Sequence, residues 1–296
     1  DEVAEPKFRI HDWGIERYEG SAPPIDWLIE GVLPRATPGL MASIGGIGKS
    51  YLLLDLCVRI AAGPGIVGQF ALGGKIKKQG TAIMLTAEES RSAVHRRLDQ
   101  ILIPSEKERL KDRLYVVPLP DTGGNVTFVR MVRSEYVMSP AWTDFCEEIM
   151  DFGPVDLIIL DPLQTLVQAD INADPAAAQF FWSSVSKLCA QSGACVLVAH
   201  HMKKGGEIDG IFQAREAIRG TSALVDGARW CYALWLATAD ERAATSDALH
   251  YPIRPLDMVH GACVKSNDIG FTEPRTYLRD PETGLLNDRT EELGEE

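Results

Sequence analysis

Lys49 and Ser50 close the run Ala42-Ser43-Ile44-Gly45-Gly46-Ile47-Gly48-Lys49-Ser50, which has the composition and spacing of a phosphate-binding loop. Glycines let the backbone approach an anion, successive N–H groups point at it, and the helix that follows adds its positive end. In this reading Lys49 reaches the β- and γ-phosphates and Ser50 offers its hydroxyl to Mg²⁺, while Gly46 and Gly48 permit backbone conformations that a Cβ would oppose. Gly45, Gly46, Ile47, Gly48, Lys49, Ser50 and Tyr51 form the candidate nucleotide-binding set. Ser43 stands where the pattern G-x-x-x-x-G-K-[ST] has its first glycine; the entry turn is expected to form without a positive φ there.

Three further positions fit the same chemistry. Asp161 ends the apolar run Leu157-Ile158-Ile159-Leu160, the Walker B arrangement that supports Mg²⁺ beside the loop hydroxyl. Glu88 and Glu89 follow the run Thr81–Thr86 and precede a helical pattern. Hydrolysis needs a proton acceptor in line with the γ-phosphate, and Glu88 is read as that base with Glu89 as its solvated neighbour. The alternative is plain charge complementarity at a helix N-terminus. His200 and His201 close the run Ala194–Ala199. Successive strand residues face opposite ways, so one metal is not shared between them, and His201 is read as the imidazole that reports the γ-phosphate. Beyond it, Lys203-Lys204-Gly205-Gly206 opens a polar segment reaching Arg215, read as a mobile loop that touches a polymer.

These side chains need strands that end together. Gly39–Ile44, Thr81–Thr86, Val155–Leu160 and Ala194–Ala199 read as strands, with helices over Lys49–Ala62, Ser92–Ile103 and Ala176–Gln191. Continuous apolar runs separated by helices predict an α/β fold, a mostly parallel sheet covered on both faces. After residue 228 the strand-like runs Arg229–Ala237, Asp257–Lys265 and Arg275–Arg279 follow one another without long helices and predict an antiparallel extension. Residues 1–22 read as an arm or linker, 23–285 as one domain with an inserted hairpin or loop at 119–141, and 286–296 as an acidic tail.

The 296 residues are 45% hydrophobic, enough for one large core, and no apolar run approaches the roughly 20 residues of a membrane span. With no signal-peptide pattern at the start, a cytoplasmic protein with no membrane partner is expected. Six cysteines lie scattered in apolar segments without a C-x-x-C pair, which suits core packing. A net charge of −12 argues against a broad nucleic-acid surface. A ring that repeats one basic loop around a channel escapes that restriction.

The P-loop, Ala87-Glu88, His95-Arg96-Arg97-Leu98, Leu160-Asp161, His200-His201 and the stretch Arg219-Gly220-Thr221-Ser222-Ala223-Leu224-Val225-Asp226-Gly227-Ala228-Arg229-Trp230 resemble, in this order, the RecA-like P-loop ATPases. More narrowly they resemble the RepA-type hexameric replicative helicases of plasmids and related mobile-element ATPases, over about residues 23–270. The resemblance implies ATP and Mg²⁺ as cofactors, a homo-hexameric ring, single-stranded DNA as partner, and hydrolysis coupled to translocation or unwinding. An ATP-switched DNA-binding, assembly or recombinase-like protein is the alternative. It also implies Lys49, Glu88, Asp161 and His201 as catalytic, and Arg229 as an arginine finger supplied to a neighbouring subunit. Lys265 falls where relatives keep a second trans-acting cation, and Lys203 and Lys204 fall in the DNA-contacting loop. If Arg229 is instead structural, it is expected to pair with Asp226 or another carboxylate on the sheet edge.

Overall fold

The computed structural model describes residues 9–124, 126–168, 170–203, 205–269 and 272–294. Its centre is a nine-stranded sheet: β1 (Pro38–Ser43), β2 (Ala82–Thr86), β3 (Leu114–Pro118), β4 (Leu157–Asp161), β5 (Cys195–His201), β6 (Trp230–Leu236), β7 (Met258–Ser266), β8 (Arg275–Arg279) and β9 (Leu286–Asp288). The spatial order is β9-β8-β7-β6-β1-β5-β4-β2-β3. The first strand therefore lies in the middle, and every pair from β6 to β3 is parallel.

Side chains on the parallel strands divide between two cores with a period of two. Leu40, Ala42, Ile83, Leu85, Ile158, Leu160, Val196 and Val198 enter one core, while Met41, Met84, Leu157, Ile159 and Leu197 enter the other. Both faces are covered, so neither tolerates polar residues, and the apolar runs are continuous. Helices α1 (Lys49–Ala62) and α2 (Arg91–Ile101) contribute to the second core, and α3 (Pro140–Phe152) and α4 (Pro175–Ser192) to the first. Five of the six cysteines are buried and Cys146 partly so, all as free thiols. Burial pushes Cys189, Cys195 and Cys231 up to about 12. Among the described residues no helix is long and apolar enough to cross a membrane.

The antiparallel extension is present, in β7, β8 and β9. It begins one strand later than the sequence predicts, because β6 pairs parallel with β1. The helices α5 (Gly210–Glu216) and α6 (Ser222–Gly227) lie between β5 and β6 and return the chain for a parallel entry. An unanticipated helix, α7 (Ala239–Leu249), also separates β6 from β7. It buries no residue and so lacks an apolar stripe. Its start is nonetheless encoded: Thr238 and Glu241 form a capping box. Residues 129–138 form a hairpin, Val129–Val132 against Glu135–Met138. The segments Ile10–Trp13 and Ile15–Tyr18 are short 3-10 turns with no buried residue.

Candidate functional site

The parallel strands β1, β2, β4 and β5 end on the same side of the sheet, which is where open α/β sheets place their ligand crevice. The loop after β1 wraps into α1 through Gly46 at φ 83° and Gly48 at φ 101°, conformations that a side chain strains. Ser43 has no positive φ; it is fully buried, and its hydroxyl donates to the Ile44 carbonyl at 2.9 Å. The entry turn thus does without the glycine of the usual pattern. Gly48 caps α1 without a side-chain acceptor, so the first N–H groups of the helix remain available to an anion.

Lys49 points across the sheet end, and its Nζ donates to Asp161 Oδ1 at 3.3 Å, with the two side chains 7% and 3% exposed. A cavity of about 370 Å³ opens here, lined by the loop, Lys49, Ser50, Glu88 and His201. His201 sits opposite Ser43 in the β1–β5 register, and Met202 N–H donates to the Ser43 carbonyl at 2.8 Å, fixing the strand end to the loop. Burial lowers the His201 pKa and Lys49 lowers it further, against Glu88 and Asp161, which raise it. His200 points elsewhere. It is fully buried with Nε2 2.8 Å from the Arg219 carbonyl, to which it donates, and burial pushes its pKa down to about 4. His200 is therefore a neutral structural residue.

The two glutamates differ in a way the sequence does not anticipate. Glu88 is exposed at the cavity and has no hydrogen bond or ion pair among the described residues. Glu89, read from sequence as the solvated neighbour, is instead the held one: it is partly buried in an ion pair with Arg97, and burial raises its pKa against that cation. Arg97 lies two turns along α2, so it folds back over the strand end. Its guanidinium also stacks over Tyr51 at 5.3 Å, while Tyr51 Oη donates to the Arg97 carbonyl at 3.3 Å. Tyr51, Arg97 and Glu89 make one wall of the cavity.

Arg279 is a site residue that sequence reasoning missed. From β8 its Nη2 donates to the Ile47 carbonyl inside the loop at 2.9 Å and its Nη1 to the Gly284 carbonyl at 3.1 Å. Its only sequence signal was membership of a strand-like run, and nothing local indicates a reach of more than 200 positions.

Arg229 and Lys265 lie at the far end of the sheet. Arg229 N–H donates to the Pro38 carbonyl at the start of β1, about 17 Å along that strand from the loop. Its side chain is exposed, and Asp226 pairs with Arg215 at 3.3 Å, so the structural alternative of an Arg229–Asp226 pair is not formed. Lys265 is not brought to the loop of its own chain, and its ammonium is occupied by the carbonyls of Val225, Asp226 and Ala228 at the end of α6. Lys203 is exposed beside the loop, where it helps line a second cavity with Ile44 and Gly45; Lys204 lies outside the described residues.

Comparison with known proteins bears on the family and the fold. The AAA domain family model matches residues 4–207. A solved ATPase domain superposes with a TM-score of 0.53 at 11% identity, covering 85% of this chain and 84% of that one. The KaiC-like protein PH0186 of the hyperthermophilic archaeon Pyrococcus horikoshii OT3 gives 0.53 at 13% identity over 90% and 95%. The flagellar accessory protein FlaH of Methanocaldococcus jannaschii gives 0.52 at 12% over 88% and 92%. At these identities the likeness is one of fold, the RecA-like P-loop α/β architecture.

Proposed function

From the premise that this chain belongs to the AAA domain family, we propose that it hydrolyses ATP in a ring-shaped homo-oligomer, a hexamer, and couples hydrolysis to movement along or unwinding of DNA in the cytoplasm. This is the activity of the RepA-type helicases its motifs resemble, and residues 23–285 would be its ATPase unit. The observation that carries the reading is that Lys49, paired with the buried Asp161, lines one cavity together with the glycine loop, Glu88 and His201.

Ser50 and Asp161 flank Lys49 with a hydroxyl and a carboxylate, hard oxygen donors that suit Mg²⁺, which takes its other ligands from phosphate and water. Mg²⁺ held by Ser50 and Asp161 would supply charge neutralisation to the bound phosphates. In this mechanism Lys49 exchanges the Asp161 carboxylate for a phosphate oxygen. Glu88, exposed and unpartnered, accepts the proton of the attacking water. His201 meets the γ-phosphate as a neutral imidazole, since both burial and Lys49 oppose its protonation. Arg229, too far from its own loop, stabilises the transition state in a neighbour's site, and Lys203 contacts the DNA.

Turnover measured with and without single-stranded DNA, alongside mass in solution, tests this. Turnover that rises with DNA in an assembled species supports the proposal. ATP-dependent assembly or DNA binding without stimulated turnover supports a second reading, in which ATP is only a conformational ligand. A protein that binds no ATP overturns both.

A further inference from the structure

The hairpin at 129–138 is not used by the phosphate site, yet its sequence departs from ordinary turn chemistry. Val132 pairs with Glu135, leaving Arg133 at φ 50° and Ser134 at φ 69° as the two turn residues. Such turns need positive φ at both positions and favour Asn-Gly, so an arginine here carries backbone strain that Asn or Gly would avoid. Arg130, Met131, Val132 and Arg133 are all exposed. Among the described residues neither arginine side chain has an ion pair or hydrogen bond, not even with Glu135, the hairpin's one carboxylate. In a chain of net charge −12, these are two exposed guanidinium groups on one hairpin, with Glu135, Asp170 and Asp174 nearby.

The hairpin is firmly mounted. Gln168 N–H donates to the Val129 carbonyl at 3.1 Å, Phe128 N–H donates to the Leu166 carbonyl at 2.7 Å, and Tyr136 Oη donates to Asp174. These anchor residues belong to the segment that leaves β4 just after Asp161. The same segment meets the residues after α5, which in turn hold the strand end that carries Lys203: a Cβ on Gly220 would lie 3.4 Å from Asn172 Cα, Arg219 N–H donates to the His201 carbonyl at 3.1 Å, and Lys203 N–H donates to the Ala217 carbonyl at 2.8 Å. The hairpin, residues 166–174, residues 217–220 and the end of β5 thus form one row linked contact by contact.

We propose that this hairpin is a second contact for the phosphate backbone of single-stranded DNA, with Arg130 and Arg133 each on a phosphate. This rests on the reading above that the protein acts on DNA. The shared row with Lys203 favours DNA over a second copy of the chain as the partner.

The test is fluorescence polarisation of labelled oligo-dT with the full chain between 50 and 200 mM salt, comparing wild type, Arg130→Ala/Arg133→Ala and Arg130→Lys/Arg133→Lys. Losing two phosphate contacts flattens the slope of log affinity against log salt by about 1.4, at about 0.7 per phosphate, which is on the order of fiftyfold in affinity at 50 mM. The lysine pair keeps the charge and retains the wild-type slope, and turnover without DNA is unchanged in both variants. Equal slopes and affinities in wild type and the alanine pair overturn the hairpin proposal alone. So does a changed mass in solution with DNA binding intact, which makes the hairpin a contact between copies. A wild-type protein that binds no single-stranded DNA overturns it together with the DNA reading on which it rests.

Discussion

Replacing Lys49 by methionine is expected to destabilise the nucleotide-free protein as well as stop turnover. The Lys49 and Asp161 side chains are 7% and 3% exposed and 3.3 Å apart. Methionine fills most of the lysine volume but leaves a buried carboxylate alone, and breaking a buried pair from one side costs about 3–5 kcal/mol. For 296 residues the unfolding entropy is about 0.6 kcal/mol/K, so Tm should fall by about 5–8 °C. Lys49→Met/Asp161→Asn removes both charges and should recover most of that loss, with a coupling energy of roughly 2–3 kcal/mol between the sites. ATP at a hundred times its Kd should raise the wild-type Tm by about 4 °C, from about 2.7 kcal/mol of binding linkage, and should leave Lys49→Met unmoved. Calorimetric melts of the four proteins, with and without ATP, read all of these. A Lys49→Met protein melting within about 1 °C of wild type, or a double variant that loses the sum of the two singles, would refute the argument that this pair is a coupled buried unit.

Glu88→Gln should keep ATP binding and lose turnover by roughly 10²- to 10⁴-fold, while Glu89→Gln should act mainly through the loosened Arg97–Tyr51 wall and raise KM; rapid turnover by Glu88→Gln would exchange the two roles. Mixing inactive Arg229→Ala with inactive Lys49→Ala subunits should restore part of the hydrolysis, because a mixed interface joins an intact loop to an intact finger worth about 10³- to 10⁵-fold. No recovery between subunits shown to exchange, or a fully active Arg229→Ala protein, removes Arg229 from the site. His200 titrates near 4 when folded and near 6.5 when unfolded, so the unfolded chain binds the extra proton between those values. Its contribution, about 3 kcal/mol, is complete above pH 6.5 and is lost as the pH falls toward 4. His200→Gln, which can still donate to the Arg219 carbonyl, should flatten the Tm profile across that window, and an unchanged profile counts against a neutral buried imidazole.

The parts of the site that were legible in the sequence are those whose chemistry is local. The P-loop helix spans Lys49–Ala62 as its pattern indicates, because glycine punctuation and an apolar run specify both ends. Asp161 and His201 could be placed because each ends an apolar run, and in a parallel sheet such runs end on one side. What the sequence hid depends on reach. Arg97 turns back along α2 to hold Glu89, and Arg279 reaches from β8 to the loop; a helix pattern or strand pattern says nothing about where a long side chain finds its carbonyl or carboxylate. The direction of β6 was hidden for a related reason, since one apolar run reads alike parallel or antiparallel.

The central position of β1 also governs when the protein can assemble itself during synthesis. Its partners are β5 and β6, and the nearer of them pairs Pro38 with Val196, about 160 residues later. At 5–20 residues per second a ribosome needs roughly ten to thirty seconds to supply that partner, during which a fully apolar strand has both edges open. The phosphate loop that hangs from it is therefore among the last features to be completed, although it lies in the first fifth of the chain. Nascent chains halted before residue 195 should bind chaperones and no nucleotide, and those extended past residue 236 should be the first to shield β1 on both sides.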